Sequence, residues 1–210
     1  MNDPYDVIAA LEQELCAYTG ADFAIAVDSC TNALQICCEY LKVSDVTIPK
    51  YTYRSVPMAI VRSGGRVFFD DRKWRGCYSL DPYPIVDSAR RFRANMFGHV
   101  SAPYYVCVSF HYTKILRGSI GGAILHNDVA ADRRLRRYRH DGRTDGLSVH
   151  DDPVDMIGMR CHITPEAAAD LRKRLHVLPP WNEDVAVPPG HYPDLSQYDW
   201  NGIYDRQRDR

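Results

Sequence analysis

The sequence predicts an α/β domain with a mostly parallel sheet. Short apolar runs, such as FAIAV at 23–27 and RVFF at 66–69, alternate with helical segments of 10–12 residues. An apolar content of 45% over 210 residues is sufficient for a large core. We expect one α/β domain over residues 1–176, followed over residues 177–210 by a tail rich in proline and aromatic residues, without periodicity.

Local capping and turn signals set the expected boundaries. The first helix is predicted to begin after Asp3 and Pro4 and to end at Gly20. Asp128 and Thr164 are expected to cap two later helices. Two other helices are predicted, one at about 30–41 and one that ends at about 62. The other strands are predicted at 46–48, 85–87 and 104–108, and directly after the glycine pair 121–122.

Composition limits the classes of function. The net charge of −1 provides no global basic field, so nucleic acid is not an expected partner, and the arginine run at 133–139 is interpreted as a solvated or partner-facing surface. Neither a signal peptide nor a membrane-spanning apolar run of about 18 residues is expected from the sequence. The seven cysteines lack C-x-x-C spacing, which favours reduced thiols in a cytoplasmic protein and no metal site.

One lysine has an unusual setting. Residues 106–125 contain two apolar strands separated by a polar turn with Ser109, His111 and Lys114, and lysine occurs only five times in the chain. An ammonium between buried strands must find a partner or lose its proton. Lys114 therefore either forms a Schiff base with a carbonyl cofactor or extends from the loop into water.

Two further positions suit the binding of a charged ligand. Ser29, Cys30 and Thr31 lie where a buried strand turns into a helix, whose N-terminus attracts anions. By itself, a serine at position 29 is more often a helix N-cap. Asp87 ends a short strand at the carboxyl edge of the sheet, where α/β folds bind ligands, or it caps a helix instead.

Five segments, taken in order, resemble the DegT/StrS-type sugar aminotransferases. They are VDSCTNAL, IPKYTYRSVPMAI with GGRVFFDD, IVDSARRF, SFHYTKILRGSIGGAILHND and MIGMRCHITPEAAADL. The resemblance implies the three-layer α/β/α large domain of fold-type-I enzymes, which use pyridoxal 5′-phosphate (PLP). It also implies a shortened form, because one strand–helix unit and most of the C-terminal small domain have no counterpart; the tail would replace the small domain.

The resemblance assigns roles to the residues that match these motifs. Lys114 would be the Schiff-base lysine and proton shuttle, and Asp87 would pair with the pyridine nitrogen. Tyr53 would stack on the ring, and Cys30 and Thr31, together with Ser109, would bind the phosphate.

Two positions depart from the family pattern. Arg90 replaces a glutamine or histidine near the cofactor oxygen, where we expect it to contact the cofactor. Arg160 replaces an asparagine that reaches the phosphate of a neighbouring subunit, and an arginine could keep that role.

The leading hypothesis is a PLP-dependent aminotransferase that acts on a nucleotide-linked keto-sugar, with glutamate or glutamine as amino donor. Because fold-type-I sites are completed across a subunit interface, the resemblance also implies a homodimer. One alternative is other PLP chemistry, such as decarboxylation or elimination, on an anionic substrate (an amino acid, for example) held by Arg90 and Arg160. The other is a non-catalytic protein that keeps the large-domain fold.

Overall fold

A computed structural model describes residues 5–98 and 100–208 of the chain. The helices are α1 (Asp6–Thr19), α2 (Cys30–Tyr40), α3 (Ser55–Arg62), α4 (Val129–Tyr138), α5 (Pro165–His176) and α6 (Trp200–Arg208). The strands are β1 (Phe23–Val27), β2 (Asp45–Pro49), β3 (Arg66–Asp70), β4 (Tyr78–Ser79), β5 (Ile85–Asp87), β6 (Tyr105–Ser109) and β7 (Gly122–His126). Asp3 and Pro4, which were predicted to begin the first helix, lie outside the described residues.

The strands form a main sheet in the order β1-β7-β6-β5-β4 and a parallel pair, β2-β3. Two backbone hydrogen bonds between Thr47 and Asp81 (2.8 and 3.1 Å) join the pair to the main sheet beyond β4. Among the described strands, β5 and β6 are parallel, whereas β7 is antiparallel to both of its neighbours and β4 is antiparallel to β5.

Five of the seven described strands run in the same direction, as predicted for a mostly parallel sheet. The other two, β4 and β7, run in the opposite direction, so the sheet is mixed. Its reversed strands follow from their connections. The loop at 110–121 joins β6 to β7 without a crossover helix, and a tight turn joins β4 to β5. Such connections place consecutive strands antiparallel, because a parallel connection needs a longer crossover.

Helices cover both faces of the sheet, which confirms the three-layer α/β/α architecture. On one face, α1 and α5 pack together over alternate residues of β1, β6 and β7, such as Ala24, Val106 and Leu125. On the other face, α2 lies over the intervening residues, such as Ile25, Cys107 and Ile124. The alternation of the two sets follows from the two-residue period of a strand.

The predicted caps are present. Gly20 ends α1 with a left-handed φ of 79°, a conformation that costs glycine little. The side chains of Ser29, Asp128 and Thr164 accept hydrogen bonds from backbone N–H groups in the first turns of α2, α4 and α5. Capping therefore fixes where these helices begin, including the one at the candidate site.

The arginine run on α4 is only partly a solvated surface. Arg133 and Arg134 are exposed, as expected, but Arg136 and Arg139 extend under β1 and pair with the buried carboxylate of Glu12. Glu12 also accepts a hydrogen bond of 2.8 Å from the backbone N–H of Ala26. The interpretation of the whole run as solvent-facing is therefore wrong for these two arginines, because the sequence did not reveal a buried carboxylate on α1.

The C-terminal tail packs against the domain. Leu195 and Trp200 are buried, the latter at the start of α6, which contacts α3. The backbone N–H of Leu195 donates to the carbonyl of Lys50 (3.0 Å). Helix α6 was not predicted, because residues 177–210 show no clear helical period. Within the described part of the chain, none of the helices is long and apolar enough to cross a membrane.

Candidate active site

A cavity of about 570 Å³ opens at the carboxyl ends of β1, β5 and β6. Its walls come from the start of α2, residues 52–56, the end of β5, the loop between β6 and β7, and tail residues 185–192. This is the edge of the sheet at which α/β folds bind their ligands. The cavity lies within the volume range of small-molecule sites.

Asp87 occupies the floor of this cavity, at the end of β5, and is only 6% exposed. Its Oδ1 accepts a hydrogen bond from the backbone N–H of Ala89 (2.9 Å), and its Oδ2 accepts one from the hydroxyl of Tyr78 (2.8 Å). Burial raises the pKa of the Asp87 carboxyl, and these two donors oppose that rise. The carboxylate is thus held in one orientation, at an energetic cost from desolvation.

Lys114 reaches the same cavity from the loop between β6 and β7. A turn fixes its position, since the backbone N–H of Lys114 donates to the carbonyl of His111 (2.8 Å). Burial lowers the pKa of the Lys114 amine, and the nearby charge of Arg90 lowers it further. A lysine with a lowered pKa has more of its amine in the neutral, nucleophilic form.

The side chains of Asp87 and Lys114 interact through their charges. The carboxylate of Asp87 raises the pKa of the Lys114 amine, and the ammonium of Lys114 lowers the pKa of the Asp87 carboxyl. The two residues are 27 positions apart in the sequence, and the parallel pairing of β5 with β6 brings them together. The cavity therefore contains a buried acid and a half-buried amine that face a shared space.

The N-terminus of α2 forms another wall of the cavity. Ser29 caps this helix, with its Oγ accepting from the N–H of Asn32 (3.2 Å), so the N-cap interpretation is confirmed. The Thr31 hydroxyl lies 2.8 Å from that of Ser55, and Ser109 lies on the same cavity wall. Hydroxyls and a helix N-terminus together make a site suited to an anion such as a phosphate.

Cys30 also lines the cavity, but its thiol is not activated. Burial raises the pKa of the Cys30 thiol well above its ordinary value, so the group stays protonated. The contribution that the resemblance gave to Cys30 comes from its backbone, and the structure places that backbone in the first turn of α2.

Three other predicted residues have distinct surroundings. Tyr53 lies at the mouth of the cavity and is 58% exposed. Arg90 lines the cavity, but its guanidinium donates to the tail, at Ala186 O (2.6 Å) and at the hydroxyl of Tyr192 (2.9 and 3.1 Å). Arg160 is outside the cavity lining, with a side chain that is 75% exposed. Within one chain, Arg90 and Arg160 therefore do not line the same cavity.

The sequence did not indicate several residues of the site. Tyr78 pairs with Asp87 across β4 and β5, and its hydroxyl lies 2.6 Å from that of Thr52, so a polar chain leads to the carboxylate. Trp74 and Tyr192 also line the cavity. A turn signal, DPYP at 81–84, could have indicated the hairpin that contains Tyr78. No local signal indicates that the tail reaches the site.

Comparisons with known proteins support the resemblance. The family model described as the DegT/DnrJ/EryC1/StrS aminotransferase family matches residues 2–85. A search of curated proteins gave no match. Three similar solved structures are DesV from S. venezuelae in complex with a ketimine intermediate (21% identity, TM-score 0.65), the sugar aminotransferase CalS13 from Micromonospora echinospora (16%, 0.68) and NtdA from Bacillus subtilis with bound PMP (16%, 0.67).

The similarity covers most of this chain but only part of each known structure. It includes 82% of this chain in all three cases, against 57% of the DesV chain, 60% of the CalS13 chain and 48% of the NtdA chain. At these identities, the structural match shows the fold. The chain therefore shares the α/β fold of these aminotransferases and spans 48–60% of their length, and its resemblance to the DegT/DnrJ/EryC1/StrS aminotransferase family is confirmed, in sequence, over residues 2–85.

Proposed function

We propose that this chain is a PLP-dependent aminotransferase that acts on a nucleotide-linked keto-sugar, with glutamate or glutamine as amino donor. The observation that carries the proposal is the meeting of Asp87 and Lys114 in one cavity, beside the capped N-terminus of α2. The family match and the sugar aminotransferase CalS13 among similar structures support the transamination and the sugar. The transamination and the sugar substrate are proposals for this chain, because it spans 60% or less of those three structures.

The residues present fit PLP. The buried carboxylate of Asp87 would pair with the protonated pyridine nitrogen, and the amine of Lys114 would bind the aldehyde carbon. The start of α2, with the hydroxyls of Thr31 and Ser109, would hold the phosphate. Tyr53 would cover a ring face from the cavity mouth. When bound, PLP supplies an aldehyde that condenses with amines and a ring that accepts electrons from the adjacent carbon.

The chain itself would provide orientation and proton transfer. Tyr78 and Ala89 fix the Asp87 carboxylate through their two hydrogen bonds, so its charge faces the ligand without reorganisation. The lowered pKa of Lys114 favours a neutral amine, which can attack a carbonyl and later carry a proton at its Nζ.

A second copy of the chain would complete the site. Tyr53, Ile120 and Tyr112, at or beside the mouth of the cavity, are 58%, 46% and 66% exposed. Arg160 does not line the cavity of its own chain and is 75% exposed, so in a homodimer it would reach the phosphate at the partner's site. A homodimer, which light scattering of the purified protein should detect, would cover these groups.

The proposal is tested by the visible spectrum of the purified protein with added PLP. We expect an absorbance band at about 420 nm that borohydride bleaches, and we expect Lys114→Ala to lack it. Lys173→Ala, which changes an exposed lysine on α5, is the matched control and should keep the band. Absence of the band in the wild-type protein would refute PLP binding. With PLP bound, glutamate or glutamine should remove the band if the reaction is transamination; persistence of the band with both donors would contradict it.

A further inference from the structure

Arginines at positions 90, 91 and 93 all hold the same stretch of the tail. Arg90 donates to Ala186 O and to the hydroxyl of Tyr192. The two other arginines contact residues nearer the start of the tail. Arg91 forms a two-point ion pair with the largely buried carboxylate of Asp184 (3.0 and 2.7 Å), and the guanidinium of Arg93 lies 4.4 Å from the centre of the Trp181 ring.

The backbone around this stretch is shaped to receive it. The backbone N–H of Val185 donates to the carbonyl of Arg90 (2.9 Å). Gly76 has a φ of +75°, and a Cβ at this position would lie 2.3 Å from an oxygen of Asp184. A side chain at residue 76 would therefore displace the carboxylate that Arg91 binds.

The held segment closes one side of the cavity. Residues 185, 186, 188, 191 and 192 all line it. The ring of Tyr192 stacks beside that of Trp74, with centroids 6.3 Å apart, and together they make an aromatic wall. The other residues that line the cavity lie between positions 28 and 121, so the tail encloses only the side of the cavity nearest Arg90.

The hydroxyl of Tyr192 has a specific hydrogen-bonding state. It accepts two hydrogen bonds from the Arg90 guanidinium, at 3.1 and 2.9 Å. Its own hydrogen has no acceptor among residues 5–98 and 100–208. A phenol polarised by a cation in this way is a good donor to an oxygen atom of a ligand. A sugar ring offers hydroxyl oxygens for such a bond and a C–H face for an aromatic wall.

We propose that residues 184–192 form a lid over the cavity within the same chain, that Arg90 positions this lid, and that Tyr192 contacts a hydroxylated, sugar-like part of the substrate. The lid is independent of the chemistry in the cavity, whereas the substrate contact rests on the proposed function. The role assigned to Arg90 differs from the cofactor contact that the resemblance implies, because its guanidinium is already committed to the tail.

The lid is tested without cofactor, by peptide-resolved alkylation of Cys30 with N-ethylmaleimide. Cys30 is buried at the cavity wall, and Cys107 is buried in the core, so Cys107 reports unfolding while Cys30 reports opening of the cavity. Arg90→Leu should speed the labelling of Cys30 at least about tenfold, the factor expected for losing one charge-assisted hydrogen bond. Labelling of Cys107 should not change.

Two variants of tyrosine sharpen this test. Tyr192→Phe keeps the ring and its packing but removes the acceptor for Arg90, so it should also speed the labelling of Cys30. Tyr198→Phe changes a half-exposed tail residue outside the cavity lining and should behave like the wild type. If the Arg90→Leu variant does not fold, the labelling of Cys30 in the Tyr192→Phe variant tests the lid instead. Unchanged labelling of Cys30 in that variant, with Cys107 protected, would overturn the lid.

The substrate contact is tested by protection. UDP-glucose, dTDP-glucose or UDP-N-acetylglucosamine should slow the alkylation of Cys30 in the wild type, and Tyr192→Phe should need about tenfold more of the sugar for equal protection. Protection by none of the three, or equal protection in the variant, would overturn the contact. Failure of the proposed function is distinguishable, because the PLP absorbance is read in a separate experiment that does not involve Tyr192.

Discussion

Asp87→Asn should make the cofactor-free protein more stable while it weakens the binding of PLP. The substitution keeps the shape of the side chain, and its amide oxygen can still accept from the N–H of Ala89. The new amide NH₂ would face Tyr78, whose hydroxyl can turn to donate to Thr52, 2.6 Å away. No buried polar group is left without a partner, so the main change is the loss of one buried negative charge.

The sign of the stability change follows from the pKa of Asp87. Burial raises this pKa above its ordinary value, so the carboxyl favours folding at low pH and loses that contribution as the pH rises through the folded-state pKa. At neutral pH the ionised group therefore costs stability, and its removal should raise the free energy of unfolding by about 1 kcal/mol. The difference should vanish as the pH falls below the ordinary pKa of an aspartic acid.

Addition of PLP should make the wild type more stable than Asp87→Asn, the reverse of the order without PLP. Loss of a charge-assisted hydrogen bond to the pyridine nitrogen, worth about 2 kcal/mol, raises the dissociation constant about 30-fold. At a PLP concentration of about 100 times the wild-type dissociation constant, the wild type gains about 2.7 kcal/mol and the variant about 0.9 kcal/mol. Urea unfolding at two pH values, with and without PLP, measures both effects. A variant that is less stable without PLP, or that binds PLP as tightly as the wild type, would refute the reasoning.

Two further substitutions test contacts in the fold that support the candidate site. Glu12→Gln should lower the free energy of unfolding by about 3 kcal/mol, because it removes the buried counter-ion of Arg139 and leaves only the half-exposed carboxylate of Asp145, 3.4 Å away. Glu14→Gln, on a more exposed position of the same helix, should cost less than about 1 kcal/mol in the same urea titration. Gly122→Ala should lower Tm by about 5 °C or more, since the added Cβ would lie 2.5 Å from the backbone nitrogen of Cys30; a Tm within about 2 °C of the wild type would contradict this contact.

The parts of the fold that were predictable are those with local causes. Ser29, Asp128 and Thr164 cap helices through hydrogen bonds to N–H groups two or three residues away, so the sequence shows both partners of each bond. Gly20 ends α1 by its own conformational freedom. The alternation of strands and helices likewise predicted the α/β class, because the periodicity of an element depends only on its own residues.

Parts of the candidate site were also visible, through order along the chain. Asp87 and Lys114 each follow a short apolar strand, and the parallel arrangement of β5 and β6 then brings their ends to one edge. Tyr78 was not visible in this way. Its contact with Asp87 depends on the two-residue strand β4, whose pattern is too short to distinguish from a loop.

The lid is the part that the sequence could not provide, and the reason lies in the nature of its contacts. Arg90 and Tyr192 were both in view, but they are 102 positions apart, and their hydrogen bonds belong to no repeating element. A segment held by polar contacts to a distant loop leaves no period in its own sequence. These contacts use the planar fork of the Arg90 guanidinium, which holds a backbone carbonyl and a phenol at once. Because the guanidinium of Arg90 holds residues of the tail, substitution of Arg90 should open the cavity without unfolding the domain.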